Sequence, residues 1–206
     1  GVNHIDLDAA RAAGVAVTNT PGVLTDDTAD LAILLMLAVL RRASEGEREL
    51  RQGQWTGWRP THLLATRLSG KTLGIVGLGR IGMAVAQRAA QGFGMRVLAW
   101  SRSAPRGAEP GVQRVASLAD LLRQVDVLSL HCPATPDTRH LIGAAALATM
   151  PRHAVLINTA RGDVVDEAAL VAALEAGQIA GAGLDVFERE PQVHPGLLQR
   201  DDVVLL

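Results

Sequence analysis

The chain has 206 residues and a formal net charge of −1; 48% of its residues are hydrophobic and 20% are charged. This length allows one large or two small domains with a sizeable core, and the composition is that of a globular protein. The near-zero charge and the 2% aromatic content argue against a nucleic-acid partner. The single cysteine, Cys132, excludes a disulfide framework and a multi-cysteine metal site, so we expect no metal ion and a cytoplasmic location.

The sequence of the first seventy residues predicts mainly helical segments. Asp8–Ala13, followed by a glycine and a Val15–Val17 strand, resembles the end of a βαβ unit. Asp26–Arg42 predicts a long helix that is apolar on nearly every side, which we expect to be buried against the domain and a second subunit. Its most apolar part, Leu31–Leu40, is too short to span a membrane, so we expect no membrane partner. Glu45–Thr66 carries two tryptophans among glycine and proline, and it is either an extended arm or a local core capped by the indoles.

The segment GLGRIG after the apolar run Leu73–Val76 is a dinucleotide-binding fingerprint between a predicted strand and a predicted helix. Gly77 allows the tight turn, Gly79 lets the backbone approach a pyrophosphate, and Gly82 lets the helix lie close to its strand. The pyrophosphate would bind the free N–H groups and the positive end of the helix dipole. The same cofactor-binding loop includes Leu78, Arg80 and Ile81.

From Gly70 onward, apolar strands alternate with amphipathic helices, which predicts an α/β fold with a doubly wound parallel sheet of the Rossmann type. The predicted strands are Thr72–Val76, Arg96–Trp100, Asp126–Leu130, Ala154–Asn158, Gly181–Val186 and Val203–Leu206. Helices are predicted near Ile81–Gly92, Leu118–Gln124, Ala144–Ala148 and Glu167–Ala176. Capping residues support these boundaries, with Ser117 and Asp166 before helices and Gly177 after one.

The end of the second predicted strand bears on the choice between cofactors. An NAD site usually has Asp or Glu there, but this chain has Ser101, Arg102 and Ser103. A hydroxyl and a guanidinium can bind a 2′-phosphate that a carboxylate would repel, so NADP(H) is favoured and NAD(H) remains possible. The alternatives are that Arg102 is only a solvated loop residue, or that Arg106 shares its role.

Several separated blocks resemble the D-isomer-specific 2-hydroxyacid dehydrogenases, and most closely their glyoxylate/hydroxypyruvate reductase branch. The matching blocks are NTPGVLTDDTADLA (Asn19–Ala32), GQWTGWRP (Gly53–Pro60), GKTLGIVGLGRIG (Gly70–Gly82), LHCPATPDTRHLI (Leu130–Ile142), INTARGDVVDEAAL (Ile157–Leu170) and AGLDVFEREP (Ala182–Pro191). They follow the family's order over nearly the whole chain. The resemblance implies NAD(P)H-dependent reduction of a small 2-oxo acid to the 2-hydroxy acid.

The resemblance also implies roles for individual residues. Arg161 matches the arginine that grips the substrate carboxylate and carbonyl, a task that suits a bidentate cation. Glu190 matches the carboxylate that orients the catalytic histidine and raises its pKa; Glu188 is the alternative, but the family pattern puts the acid immediately before proline. Residues matched to the cofactor site are Thr28, Cys132, Pro133, Thr159, Ala160 and Asp185.

The family's catalytic histidine would fall a few residues beyond Leu206. We therefore expect residues 1–20 to be the remnant of a flavodoxin-like substrate domain and hinge, and residues 21–206 to be the dinucleotide-binding domain. The latter includes a dimerisation helix and arm at about 26–66, which implies a homodimer. The chain alone is expected to be inactive. Two other hypotheses are a non-catalytic dinucleotide-sensing module of the same superfamily and a related phosphite- or formate-type dehydrogenase.

Overall fold

Parallel strands and crossover helices fill the part of the chain that a computed structural model describes, residues 5–102 and 109–206. The strands are β1 (Thr72–Val76), β2 (Arg96–Trp100), β3 (Val112–Arg114), β4 (Val127–Leu130), β5 (Val155–Asn158), β6 (Gly181–Leu184) and β7 (Val203–Leu205). The α-helices are α1 (Leu7–Ala12), α2 (Thr25–Leu40), α3 (Ala43–Arg51), α4 (Arg80–Phe93), α5 (Leu118–Leu122), α6 (Ala144–Thr149), α7 (Glu167–Glu175) and α8 (Pro195–Leu198). Short 3₁₀ turns occupy Pro136–Thr138 and Gly162–Val164.

The sheet has the order β3-β2-β1-β4-β5-β6-β7, and all of its strands are parallel. The chain moves outward in one direction from β1 to β3, and in the other direction from β4 to β7. In such doubly wound sheets the ligand crevice lies at the carboxyl ends of the strands, where this direction reverses. The fold therefore places a binding crevice between the loops that follow β1 and β4.

Both faces of the central part of the sheet are buried, because alternate residues of its central strands enter two different cores. Ile75 lies in the core shared with α2 and α4, whereas the next residue, Val76, lies in the core shared with α5, α6 and α7. Val127 and Leu128 divide in the same way. A strand buried on both faces carries a continuous apolar run, which is why these segments were recognisable from sequence.

The Rossmann-type prediction is confirmed, but the strand count was wrong because the sheet has seven strands instead of six. The additional strand is β3, which pairs only with β2. Its three residues, VQR, are too few to show a periodic pattern. The predicted Val15–Val17 strand does not form; Val15 is exposed there and pairs with no strand of the described chain.

The segment predicted as an arm contains a regular helix, α3, over its first part. The remainder, from Gly53 to Thr66, has no regular helix or strand. Trp58 is 81% exposed and Trp55 is 49% exposed, so the indoles do not cap a core. Of the two interpretations, an extended segment with exposed aromatic side chains fits the structure.

The predicted capping residues are confirmed. The Ser117 hydroxyl accepts a hydrogen bond from the Asp120 amide at the start of α5, and the Asp166 carboxylate accepts one from the Ala169 amide at the start of α7. Gly177 follows α7 with a φ of +59°. Within the described residues, no helix combines the length and apolarity needed to cross a membrane.

Glycine in β6 allows α2 to lie directly on the sheet. A Cβ at Gly183 would be 3.0 Å from Leu35 Cβ and 3.1 Å from Ile157 Cδ1. A Cβ at Gly92, on the exposed side of α4, would have no atom within 4 Å. The two glycines thus provide a matched pair for testing this packing.

We predict that Gly183→Ala lowers the free energy of unfolding by about 1–3 kcal/mol, because the added methyl group overpacks the α2–β6 contact. At a protein concentration low enough to keep the chain monomeric, Gly92→Ala should leave it unchanged or raise it by about 0.5–1 kcal/mol, since alanine favours the helix. Urea unfolding of both variants measures the difference. Equal effects at the two positions would contradict the packing role of Gly183.

Candidate functional site

Two of the three fingerprint glycines are required by close contacts. Gly77 has a φ of +93°, and a Cβ there would lie 2.7 Å from the backbone nitrogen of Cys132. A Cβ at Gly82 would lie 2.3 Å from the carbonyl oxygen of Gly77. Gly79 differs, because a Cβ there would have no atom within 4 Å. Its backbone is therefore open to a ligand that approaches from the side of the crevice.

Helix α4 begins immediately after this open glycine. No side chain caps its N-terminus, and its first turn contains no acidic residue. The first N–H groups of a helix have no intrahelical partner, and they carry the positive end of the helix dipole. Arg80 adds a cation at the same place, so the start of α4 suits the pyrophosphate of a dinucleotide.

A cleft of about 860 Å³ lies beside the start of α4. Its walls are formed by Ile5, Asp6, Leu7, Asp8, Arg80, Ile81, His131, Cys132, Pro133, Ala134, Thr159, Ala160 and Arg161. Thr159 is 8% exposed, and its buried hydroxyl has no hydrogen-bond partner. A buried hydroxyl without a partner is costly, and this one lies in the wall of the cleft. The cleft thus fits a polar ligand and, together with the open glycine, a dinucleotide.

The loop after β5 holds Arg161 at this cleft through Asn158, which is almost fully buried. The Asn158 Nδ2 donates to the Arg161 carbonyl at 2.9 Å, and its Oδ1 accepts from the Ala160 amide at 3.0 Å. The Asn158 carbonyl also accepts from the Asp185 amide at 3.0 Å. One buried amide therefore fixes the turn that carries the candidate catalytic arginine, whose Nη1 donates to the Ala160 carbonyl.

The loops that carry the two candidate catalytic residues touch each other through their backbones. A Cβ at Gly162, next to Arg161, would lie 1.9 Å from the carbonyl carbon and oxygen of Phe187. The Phe187 amide in turn donates to Glu190 Oε1 at 3.0 Å. The loop of Arg161 and the loop of Glu190 are therefore in direct backbone contact, at Gly162 and Phe187.

Glu188, the alternative to Glu190, is engaged with another histidine. His140 Nε2 lies 2.8 Å from Glu188 Oε1, and the Glu188 amide donates to Glu167 Oε1 at 2.7 Å. Burial raises the pKa of the Glu188 carboxyl, but the hydrogen bond and charge of His140, with smaller contributions, bring the pKa below its usual value. Glu188 therefore anchors the segment that precedes Glu190.

The histidines of the described chain each contact a group other than Glu190. These pairs are His62 with Glu49, His131 with Ser129, His140 with Glu188, His153 with Asp126 and His194 with the Gly196 amide. Burial lowers the pKa of His131 to about 4. Its imidazole is therefore neutral at pH 7, and it cannot serve as a ready proton donor in the cleft.

A small cavity of about 100 Å³ continues the crevice toward the end of β2. Its lining includes Gly77, Ser101, Arg102, Cys132 and Pro133. The structure therefore brings together the fingerprint, the predicted 2′-phosphate residues Ser101 and Arg102, and the predicted cofactor residues Cys132 and Pro133. Ser103 and the alternative Arg106 lie outside the described residues.

The remaining predicted residues are less closely connected with the cleft. Asp185 follows β6 at the carboxyl edge of the sheet, where burial and the charge of Glu190 raise the pKa of its carboxyl. Leu78 packs against the core beneath α2 and α4. Thr28 lies in the first part of α2, and neither cavity has it in its lining. No three His, Cys, Asp or Glu side chains among residues 5–102 and 109–206 could hold a metal ion together.

Sequence analysis missed two polar contacts near the site. One is the His140–Glu188 pair, and the other joins Arg102 to Asp137. Both residues of the loop after β4, His140 and Asp137, lie within the LHCPATPDTRHLI block. Their partners are distant in sequence, so no local pattern could have indicated these pairs.

Comparison with known proteins supports the assignment of the cleft as a dinucleotide site. The chain is 50% identical over 210 aligned residues to the glyoxylate reductase of Thermococcus litoralis, covering all of this chain and 63% of that protein. Among solved structures it resembles an NADPH-dependent glyoxylate/hydroxypyruvate reductase from Sinorhizobium meliloti in complex with NADP and malonate, with 44% identity and a TM-score of 0.90. It also resembles D-lactate dehydrogenase from Aquifex aeolicus complexed with NAD and lactic acid, with 32% identity and a TM-score of 0.87. All of this chain is covered in both structural comparisons, against 64% and 66% of the two solved chains respectively.

The chain thus spans about 63% of the length of the first of these relatives. The sequence profile described as "D-isomer specific 2-hydroxyacid dehydrogenase, NAD binding domain" matches residues 33–206. This match agrees with the glycine loop, the open α4 terminus and the cleft, all of which suit a nicotinamide dinucleotide. The chain therefore belongs to the D-isomer specific 2-hydroxyacid dehydrogenase family, whose NAD-binding domain it contains.

Proposed function

We propose that the complete protein reduces a small 2-oxo acid of the glyoxylate or hydroxypyruvate type, with NADPH as the preferred cofactor. The observation that carries this proposal is the position of Arg161 in the wall of the cleft that also contains the start of α4 and the partnerless Thr159 hydroxyl. A cation beside a dinucleotide site is suited to an anionic substrate. The names of the relatives point to the same substrate class.

In this proposal, the residues that hold the cofactor are the fingerprint loop, Thr159, Ala160, Asp185 and, at the far end, Ser101 and Arg102. The bound cofactor would supply a hydride to the substrate's keto carbon. Arg161 would bind the carboxylate through its planar guanidinium and would stabilise the negative charge that develops on the carbonyl oxygen. Glu190 would accept a hydrogen bond from a catalytic imidazole and keep it protonated at neutral pH.

The preference for NADP(H) is supported by the end of β2, where Ser101 and Arg102 line the small cavity and no carboxylate is present on that strand. A guanidinium binds a 2′-phosphate by charge and by hydrogen bonds. The remnant of a substrate domain within residues 1–20 is supported by α1, since Leu7 and Asp8 form part of the cleft wall. A cytoplasmic location stays a prediction from the single cysteine.

We also propose that the protein is a homodimer that uses α2. Leu34 on this helix is 53% exposed, and it lines a groove of about 660 Å³ with Ile33, Leu37 and Phe93. The groove lies between α2 and α4, and Trp58 adds a further exposed apolar side chain in the segment after α3. A second copy that presents the same surface would cover these apolar groups in a symmetric contact.

Arg161→Gln should lower kcat/KM for glyoxylate by about 100-fold to 1,000-fold, because it removes a charged donor to the developing oxyanion. The dissociation constant of NADPH should change by less than about twofold, since the substrate uses this guanidinium. Steady-state kinetics and a fluorescence titration of the complete protein measure both quantities. Arg123→Gln, which changes an exposed side chain at the C-terminal end of α5, is the control. An unchanged kcat/KM in Arg161→Gln would rule out the catalytic role.

Arg102→Ala should weaken NADPH binding by about tenfold and NADH binding by less than about twofold, because only NADPH carries the 2′-phosphate. Arg96→Ala is a matched control, since Arg96 begins β2 at the opposite edge of the sheet. The measurement is a fluorescence titration with each cofactor. Equal losses for both cofactors would refute the 2′-phosphate assignment.

Leu34→Glu should convert the dimer to a monomer, because it places a charge against the apolar side chains of the groove between α2 and α4. Leu198→Glu changes a side chain of similar exposure, 55%, on α8 and should leave the dimer intact. Sedimentation equilibrium at several protein concentrations measures the mass. A wild-type monomer, or a dimer that survives Leu34→Glu, would contradict this interface.

A further inference from the structure

The guanidinium of Arg102, which lines the small cavity, pairs with a carboxylate on a different loop. Arg102 Nη1 donates to Asp137 Oδ2. Arg102 follows β2, whereas Asp137 belongs to the 3₁₀ turn Pro136–Thr138 that follows β4. The cavity of about 100 Å³ between these two loops is lined by Ser101, Arg102 and Thr138 among others. The ion pair therefore lies beside the end of the crevice where the adenosine half of a dinucleotide would bind.

Asp137 belongs to a turn that several hydrogen bonds stabilise. Thr138 is only 4% exposed, and its hydroxyl donates to the Pro133 carbonyl at 2.7 Å. The same hydroxyl accepts a hydrogen bond from the Thr135 amide at 2.8 Å, which completes a capping box. Arg102, in contrast, follows the end of β2 and carries its guanidinium on a long, flexible side chain. The backbone that carries Asp137 is therefore fixed, whereas the guanidinium of Arg102 can turn away from the carboxylate.

We propose that Asp137 is a specificity-determining residue that competes with the 2′-phosphate of NADP(H) for Arg102. β2 ends without the carboxylate that commonly selects NAD, and the 3₁₀ turn after β4 supplies one to Arg102 instead. A 2′-phosphate must displace Asp137 from the guanidinium, whereas a ribose diol needs no such exchange. Asp137 thus narrows the difference in affinity between NADPH and NADH that Arg102 creates. This inference rests on the 2′-phosphate role proposed for Arg102.

The exposure of the pair limits the size of the effect. The side chains of Arg102 and Asp137 are 50% and 74% exposed. Exposed ion pairs are weak, so their loss corresponds to about a twofold to fivefold change in a dissociation constant. Asp137 would therefore tune the preference between cofactors, while Arg102 remains its main source.

The test is a fluorescence titration of the complete protein with NADPH and with NADH, for wild type and for Asp137→Asn. Asparagine keeps the shape of the side chain and removes its charge. We expect Asp137→Asn to tighten NADPH binding by about twofold to fivefold and to change NADH binding by less than about 1.5-fold. Asp201→Asn is the matched control, because Asp201 forms an exposed ion pair with Arg48 elsewhere on the surface. It should alter neither affinity.

The double variant Arg102→Ala with Asp137→Asn separates competition from direct repulsion. If Asp137 acts by holding Arg102, its removal has no effect on NADPH affinity once Arg102 is gone. A gain that persists in the double variant, a loss of NADPH affinity in Asp137→Asn, or equal changes for both cofactors would overturn the proposal. If Arg102→Ala alone affects both cofactors equally, the proposed 2′-phosphate site fails; if it is selective and Asp137→Asn has no effect, only the role of Asp137 fails.

Discussion

The close approach of backbone to backbone at the carboxyl edge of the sheet is the constraint on which the site depends. Gly77 lies against the loop after β4, and Gly82 lies against the carbonyl of Gly77. Each contact leaves no room for a Cβ, so α4 must start close to the strands and point its free N–H groups into the crevice. The same edge receives the turn after β5, which Asn158 holds rigid. Backbone contacts thus determine the position of the cleft, and side chains line its walls.

Most of the sheet could be predicted because its strands are buried on both faces and are therefore continuous apolar runs. The fingerprint was equally clear, since its glycines stand at a fixed spacing between a strand and a helix. β3 was missed because three residues at the sheet edge show no pattern. The strand predicted at Val15–Val17 was wrong because a short apolar run suggests a strand without indicating whether a neighbouring strand is there to pair with it.

The site was predictable only where a residue belongs to a recognisable block. Arg161 and Glu190 are ordinary residues by composition, and their assignment depends on the family resemblance. The geometry adds what the resemblance could not: the partnerless hydroxyl of Thr159, the neutral imidazole of His131 and the two polar contacts of the loop after β4. The two polar contacts join residues distant in the chain, and the burial of Thr159 and His131 likewise arises only from the folded topology.

The contact of Gly162 with Phe187 limits how this site can diversify. The loop that carries Arg161 packs on the backbone of the loop that carries Glu190. An insertion or deletion in either loop would therefore displace both. The two loops therefore form a single transferable unit that an engineer would have to graft as a pair. A new substrate preference is easier to build in the walls that take no part in this contact, such as the α1 side of the cleft.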